Sequence, residues 1–225
     1  MIKNPIILLK ETVIKTSNLA QLADGELVNI TKEDMQGATN IVSNLFYGLN
    51  IISLELSNST RTIGSYITAN STLKNLIING VIFSIMDKAF ANSPNLETVT
   101  FTEDCFLETT GTNMFYACTQ LKTVKLPNSL KGLGQWTFQA CGSLTEITIP
   151  SRIEGIASKV FDGCNALTKI TIDKPCTVAS DVPILADTTM PKTTIVYVPD
   201  TTTQSLYQSA TNWNAYTIKL KSELQ

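Results

Sequence analysis

One short pattern recurs five times along the chain at nearly constant spacing. It reads Leu, two variable residues, an aliphatic residue, one variable residue, and then an aliphatic residue or Phe. The pattern begins at Leu73, Leu96, Leu121, Leu144 and Leu167, with spacings of 23, 25, 23 and 23 residues. A period of this length is typical of solenoids, in which each repeat is one structural unit stacked on the next. The pattern therefore predicts an elongated repeat fold.

Two further positions recur in register with these leucines. A large apolar residue precedes each Leu by six positions, and a small or polar residue precedes it by three. The apolar residues are Ile67, Phe90, Phe115, Phe138 and Phe161. The small or polar residues are Asn70, Ser93, Cys118, Cys141 and Cys164. Since no single unit can bury its own apolar face, stacking should place equivalent side chains in continuous columns.

The local structure of each unit follows from its residue types. Alternation after each Leu favours a short strand with one buried face. In the two most regular units, Pro127 and Pro150 follow the strand and block further ladder pairing. The aliphatic residues that come next favour a second short extended run. The segment around each Phe is expected to form a single helical turn that carries the ring inward.

Residues 121–172 resemble the BspA-like leucine-rich repeat family, whose consensus contains the same Leu, Ile, Pro, Gly, Phe and Cys positions. The resemblance extends over about residues 35–172 and is looser across 41–120, where the unit from Leu96 to Gln120 carries a two-residue insertion near Glu103 to Glu108. It implies an α/β repeat solenoid, a leucine-rich-repeat right-handed superhelix that is rich in strands and has short helical turns.

The resemblance and the loss of periodicity at both ends suggest three parts. We expect an N-terminal capping segment over residues 1–40, leucine-rich repeats over 41–172, and a C-terminal cap over 173–225. The C-terminal cap should contain a strand at 194–199, a helix that begins after Asp200 and continues through Trp213, and a closing strand at 217–220.

The N-terminal segment is less periodic. Residues 6–9 and 11–14 could pair as strands. Thr31 and Asp34 have the spacing of a capping box, which favours a short helix from Lys32 towards Gly37.

Composition excludes several classes of protein. The chain has 225 residues, of which 43% are apolar, and a net charge of −2, which suits a folded domain. There is no concentrated Lys/Arg stripe for nucleic acid, and no apolar run approaches the ~20 residues of a membrane span. The apolar run at residues 5–9 is too short for the core of a signal peptide, so none is expected here, although the resemblance favours an extracellular or cell-surface location.

The sequence lacks the common motifs of catalysis. It contains no histidine, and therefore neither the usual general base nor the commonest metal ligand. Phosphate-binding loops, dinucleotide-binding glycine motifs, nucleophile elbows and paired zinc-ligand cysteines are also missing. We expect no enzymatic activity, no cofactor and no metal.

Three groups of residues leave alternatives open. Glu103, Asp104 and Glu108 could bind a hard cation such as Ca²⁺, although a solvated acidic loop is favoured. The cysteines of the repeated position are expected to be buried thiols rather than a disulfide or a metal site, whereas Cys105 and Cys176 could be exposed. Trp136 could lie at the surface, and Trp213 is expected to pack within the cap. Stacking of either ring on a glycan is the less favoured alternative.

The outward face of the repeat strands is the candidate binding surface. Strand alternation places there the second and fourth residues after each Leu. These are Asn75, Ile77, Thr98, Thr100, Thr123, Lys125, Glu146, Thr148, Lys169 and Thr171. Threonine dominates the set, so the face could be a polar ladder that only solvates the sheet. It could equally be an extended surface for a protein or glycan, as repeat folds commonly provide.

The family resemblance implies a non-enzymatic protein- or glycan-binding module of a bacterial cell surface or of secreted adhesion type. Its partners would be host or bacterial surface proteins or glycans, and its oligomeric state stays open. The alternative is a phage or prophage tail-associated protein with a structural or receptor-binding role, because residues 30–37 are similar to the segment before the repeats of some phage-associated proteins.

Overall fold

Short parallel strands wind through the computed structural model, which describes residues 25–35, 37–187 and 189–224. We call each turn of the chain a rung. Two series of strands run along the stack, and we name them the strand face and the second face. All strand pairs between rungs are parallel, as expected for a solenoid. The strands expected at residues 6–9 and 11–14 lie outside the described residues.

The strand face consists of two sheets that follow one another along the stack. The first contains β1 (Val28–Ile30), β3 (Ile51–Glu55), β5 (Asn75–Ile78), β7 (Thr98–Phe101) and β8 (Thr123–Lys125). The other contains β10 (Glu146–Ile149), β12 (Lys169–Ile172), β14 (Ile195–Val198) and β15 (Thr217–Leu220).

The second face also consists of two sheets, built from two-residue strands. The first contains β2 (Asn40–Ile41), β4 (Thr62–Ile63) and β6 (Ser84–Ile85). The other contains β9 (Gly132–Leu133), β11 (Gly155–Ile156) and β13 (Ile184–Leu185). These strands confirm the second extended run predicted for each unit. The pairing on both faces extends past residues 40 and 172, and the division of the chain into three parts stays a prediction.

Stacked phenylalanine rings form the centre of the core. Phe90, Phe115, Phe138 and Phe161 are buried, and successive ring centroids lie 5.6, 5.6 and 5.8 Å apart with interplanar angles of 6–11°. Phe115 and Phe138 therefore each pack between equivalent rings of the two neighbouring rungs. Truncation of such a buried ring to Ala typically costs about 3–5 kcal/mol.

The repeated cysteines are buried free thiols, as predicted. The Sγ atoms of Cys118, Cys141 and Cys164 lie 3.3, 3.2 and 3.0 Å from a Phe carbonyl oxygen of the preceding rung, to which each thiol donates. Burial raises the pKa of Cys118 and Cys164 to about 12 and that of Cys141 well above its ordinary value. The thiol thus adds a hydrogen bond between rungs, and the Phe115 and Phe138 carbonyls accept it alongside the backbone amides of Cys118 and Cys141.

Three expectations about this part of the unit need correction. Cys105 and Cys176 are buried, with 5% and 2% exposure, and the backbone of Cys176 is hydrogen-bonded to the Thr203 hydroxyl. Asn70 is exposed with a φ of +56°, and its neighbour Ser71 fills the buried position instead. The Ser71 hydroxyl donates to the Thr68 carbonyl at 2.7 Å, so this rung is shifted by one residue relative to the sequence alignment.

The C-terminal strand, helix and strand form where they were predicted, but the helix is shorter. Helix α1 (Thr201–Ser209) begins after Asp200, whose side chain accepts from the Thr203 amide at 2.8 Å. It ends before Trp213 because the chain becomes extended at Ala210. Trp213 lies in a separate 3-10 turn and is buried, and its indole nitrogen donates to the Pro183 carbonyl at 2.7 Å.

The N-terminal capping box is present without a regular helix. The Thr31 amide donates to the Asp34 carboxylate at 2.9 Å, and the Asp34 amide is 3.4 Å from the Thr31 hydroxyl. The described residues 32–35 form a turn, so the predicted helix from Lys32 is wrong over that stretch.

Two positions in each turn around the Phe column have a left-handed backbone, and the second of them differs between rungs. Gly163 has a φ of +74°, and Ala140 in the preceding rung has a φ of +62°. A Cβ atom on Gly163 would lie 3.3 Å from the backbone of Ala140. Left-handed geometry costs a residue with a Cβ roughly 1–2 kcal/mol, and glycine largely avoids this cost.

We expect opposite effects from two reciprocal substitutions in this column. Ala140→Gly should raise the free energy of unfolding by about 0.5–1 kcal/mol, because relief of strain exceeds the added chain entropy. Gly163→Ala should lower it by about 1–2 kcal/mol. Urea unfolding measures both values. A loss of stability in Ala140→Gly would contradict the strained geometry.

The burial of the thiols predicts their reactivity. At about pH 8, a disulfide reagent should label none of the five cysteines of the folded chain and all five in denaturant, because burial suppresses both access and thiolate formation. Rapid labelling of the folded chain would contradict this packing, and mass mapping would identify the exposed residue.

Candidate binding groove on the strand face

The outward face of the strands contains the ten residues predicted from the sequence. Nine of them are exposed or half-buried. Thr171 is the exception, with 8% exposure. It lies in register between Thr148 and Tyr197, and the large ring of Tyr197 in β14 was not considered when the face was predicted. Thr171 therefore belongs to this face without being freely accessible.

The N-terminal half of the face is largely paired with itself. The Thr98 hydroxyl donates to the Asn75 side-chain oxygen at 2.7 Å, and the Ser53 hydroxyl donates to Asn29 at 2.6 Å. Ile77 lies in register between Glu55 and Thr100 and is half-buried. In this half, the polar side chains therefore fit the alternative that they only keep the sheet surface hydrated and bind no partner.

The series of main-chain hydrogen bonds that joins neighbouring strands of the strand face is interrupted between β8 and β10. At the adjoining junctions, the Lys122 amide donates to the Glu97 carbonyl and the Thr168 amide to the Thr145 carbonyl, both at 2.9 Å. No backbone hydrogen bond joins residues 122–126 to residues 145–149, although the structure describes both segments. Two strand edges with unpaired main-chain groups thus face each other inside the stack.

The opening is confined to one side of the solenoid. On the second face, the Glu154 amide still donates to the Lys131 carbonyl at 2.7 Å. In the core, the centroids of the Phe115 and Phe138 rings lie 5.6 Å apart, which is also the distance between the Phe90 and Phe115 rings of the preceding pair of rungs. The two rungs are therefore joined at the second face and in the core and separated at the strand face.

A groove of about 390 Å³ lies at this opening. Its volume is within the range of pockets that hold small ligands or side chains. Its lining includes six of the ten predicted residues: Thr123, Lys125, Glu146, Thr148, Lys169 and Thr171. The floor is apolar, and Val124 and Leu126 are each 7% exposed, whereas Val99 in the closed ladder is fully buried. The other four predicted residues do not line the groove.

Two polar residues of the groove were missed by sequence reasoning. Asn128 and Asp173 both line it, and each follows the end of a repeat strand. The prediction considered only alternate positions within the strands. The signal that could have found both residues is their place just past the strand ends, where parallel strands bring side chains to one edge.

Ion pairs connect each strand at the opening to its other neighbour. Lys125 contacts Glu103 at 2.6 Å and Lys122 contacts Glu97 at 2.9 Å, both towards the preceding rung. Glu146 pairs with Lys169 of the following rung. Among the described residues, no ion pair crosses from β8 to β10. Exposed pairs of this kind stabilise a fold only slightly, but their directions agree with the opening.

The acidic residues of the insertion do not form a cation site. Glu103 pairs with Lys125, and Glu108 contacts Lys131 at 2.6 Å. Within the described residues, no three His, Cys, Asp or Glu side chains are grouped closely enough to hold a metal ion. The Ca²⁺ alternative for Glu103, Asp104 and Glu108 was therefore wrong, because each glutamate faces a lysine rather than the other carboxylates.

The lysine contacts predict the titration of two carboxylates. A hydrogen bond and the charge of Lys122 lower the pKa of Glu97, with a smaller contribution from Lys74, and Lys125 lowers the pKa of Glu103 in the same way. Lys122→Met should raise the pKa of Glu97 towards its ordinary value and leave Glu103 unchanged. Carboxyl ¹³C titration measures both. An unchanged pKa of Glu97 would contradict its contact with Lys122.

Comparison with known proteins agrees with this architecture. The model of the BspA type leucine-rich repeat region matches six copies, over residues 39–168 and 84–204. No curated protein matches the chain significantly. Among the described residues, no helix combines the length and hydrophobicity needed to cross a membrane.

Solved structures with a similar fold come from several bacteria. A leucine-rich repeat protein from Bacteroides ovatus superposes with a TM-score of 0.54 at 22% identity, covering 87% of this chain and 54% of that one. A leucine rich cell surface protein from Faecalibacterium prausnitzii gives 0.46 at 20% identity, covering 82% and 61%. The T. pallidum leucine-rich repeat protein gives 0.48 at 16% identity, covering 83% and 78%.

The chain thus spans about half the length of the Bacteroides ovatus protein, and the likeness concerns the fold alone. The family match covers more than half of the chain, and its copies coincide with the stacked rungs. The chain belongs to the BspA type leucine-rich repeat family.

Proposed function

We propose that the chain is a non-enzymatic binding module that holds a protein or glycan in the groove between β8 and β10. The observation that carries the proposal is the coincidence of this groove with the predicted binding face. The strand-face ladder opens at this junction, and six predicted residues line the opening. Unpaired main-chain groups there would gain hydrogen bonds from a ligand, whereas the closed part of the ladder has already formed them.

The lining indicates the kind of ligand. The hydroxyls of Thr123 and Thr148 and the amide of Asn128 lie beside charged residues of both signs. Such a surface suits a ligand with its own donors and acceptors, as peptides and glycans have, rather than a polyanion. Nucleic acid would need a continuous basic surface, and here Lys125 and Lys169 are paired with carboxylates.

The absence of enzymatic activity is part of the proposal. Repeat scaffolds of this family generally have no catalytic role, and the sequence contains no histidine. The adhesion role, with a bacterial cell-surface or secreted location, is supported by the family resemblance alone. A fold does not determine a function, so the ligand must be identified by binding.

A binding screen with two matched variants tests the proposal. The chain would be presented to arrayed extracellular-matrix proteins, glycans and bacterial cell-wall preparations. Thr123→Glu/Thr148→Glu places charge in the groove, and Asn75→Glu/Thr98→Glu places the same charge on the same face outside it. We expect saturable binding that weakens at least about tenfold in the groove variant and changes little in the other.

Several outcomes would contradict the groove. Equal binding by both variants, or loss only in Asn75→Glu/Thr98→Glu, would place the site elsewhere.

Binding restricted to bacterial cell walls would favour the phage-associated alternative over adhesion to host proteins. Circular dichroism of each variant would show that any loss of binding does not arise from unfolding.

A further inference from the structure

The second face contains a group of exposed apolar side chains, which we call the apolar cluster. Val81, Phe83, Met86 and Phe106 are 36%, 76%, 56% and 40% exposed. Val81 and Phe106 are bridged as parallel neighbours, and Phe83 lies two residues after Val81, directly before β6. Contiguous apolar surface of a few hundred Å² is uncommon on a soluble protein unless it contacts another molecule.

The repeat provides an internal control for this cluster. The register of the second face aligns each of its residues with equivalents in other rungs. At the position of Phe83, the other rungs have Arg61, Glu108, Lys131 and Glu154. At the position shared by Val81 and Phe106, they have Ser59, Ser129 and Arg152. At the position of Met86, they have Val42, Gly64, Gly111, Gly134, Ala157 and Ala186, most of which are small.

The fold therefore accepts polar or small residues at each of these positions. Burial cannot explain the apolar residues, because Phe83 is three-quarters exposed. Nor does the strand require them, since Ser and Arg occupy the equivalent positions in β4 and its flanks. Their concentration in two adjacent rungs indicates a contact that those rungs make with something outside the described chain.

A second groove lies beside the cluster. The ladder of the second face is interrupted after β6, and a groove of about 370 Å³ runs between residues 82–85 and 106–111. It is bounded at one end by the bridge between Val81 and Phe106 and at the other by the close approach of Gly111 to Met86. Because both ends are closed, the groove suits a segment of a few residues rather than a long added strand.

The charges around the cluster are already paired within the chain. Arg61 donates to the carbonyls of Asn58 and Thr60 at 2.9 Å and lies over the Phe83 ring at 5.9 Å. Glu108 contacts Lys131 at 2.6 Å. These charged groups are therefore poorly placed to recognise an anion. The site combines the apolar contact of the cluster with the hydroxyl groups of Ser84 and Thr109, which line the groove.

We propose that the apolar cluster and its groove form a docking site for a segment of a partner protein that presents bulky apolar side chains. The unpaired edge of β6 would bond to the main chain of such a segment, which a lipid or a glycan lacks. A stable dimer buries about 800 Å² per subunit, which exceeds the few hundred Å² of the cluster, so a short segment fits better than a second copy. This site is on the other face from the β8–β10 groove and does not depend on it.

The test uses short random peptides displayed on phage and selected against the full chain. Phe83→Arg/Phe106→Ser gives both positions residues that other rungs already have there, so the fold should be retained. Ile184→Arg removes an apolar side chain of similar exposure, 73%, at another place on the second face. We expect selected peptides to contain two or more bulky apolar residues and to bind at least about tenfold more weakly to the double variant.

The controls separate the possible outcomes. Binding of the peptides should be unchanged in Ile184→Arg and in Thr123→Glu/Thr148→Glu. Recovery of no peptides, equal binding by the double variant, or equal losses in Ile184→Arg would overturn the proposal. Self-association of the chain that the double variant abolishes, measured by sedimentation, would also overturn it and make a second copy the occupant.

Discussion

The structure depends on the stacking of equivalent side chains between rungs. Phe115 packs on Phe90 and Phe138, and the buried thiols of Cys141 and Cys164 donate to the carbonyl groups of the rung before them. A single rung has no core of its own, so removal of one ring weakens two interfaces at once. This explains why the core residues repeat closely along the chain while the surface residues vary.

Function is most readily assigned where the chain departs from this repeat. The strand face is interrupted once between β8 and β10, and the second face is interrupted after β6. In both places the Phe column continues at nearly constant spacing, so the core tolerates an opening on one face. The two openings lie on different faces and at different junctions. The first has an apolar floor beneath hydroxyl and charged groups, and the second has both polar groups and the exposed rings of Phe83 and Phe106 in its lining.

Much of the fold could be predicted from the sequence, because the repeat is a physical requirement of the core. The Leu and Phe columns, the paired short strands and the cap at Asp200 all follow from spacing and residue type. The opening could not be predicted, since residues 121–126 and 144–149 have the same alternation as the paired strands. The low exposure of Thr171 beside Tyr197 involves a strand outside the five sequence motifs, and Asn128 lies outside the strand pattern.

The most direct test of this account is the detection of main-chain hydrogen bonds by NMR scalar couplings between amide nitrogen and carbonyl carbon. The account predicts couplings from Lys122 to Glu97 and from Thr168 to Thr145, because those junctions are closed. It predicts none between the Thr145 amide and the Lys122 carbonyl. A coupling between those two residues would show a continuous ladder at the β8–β10 junction and would remove the basis for a groove on the strand face.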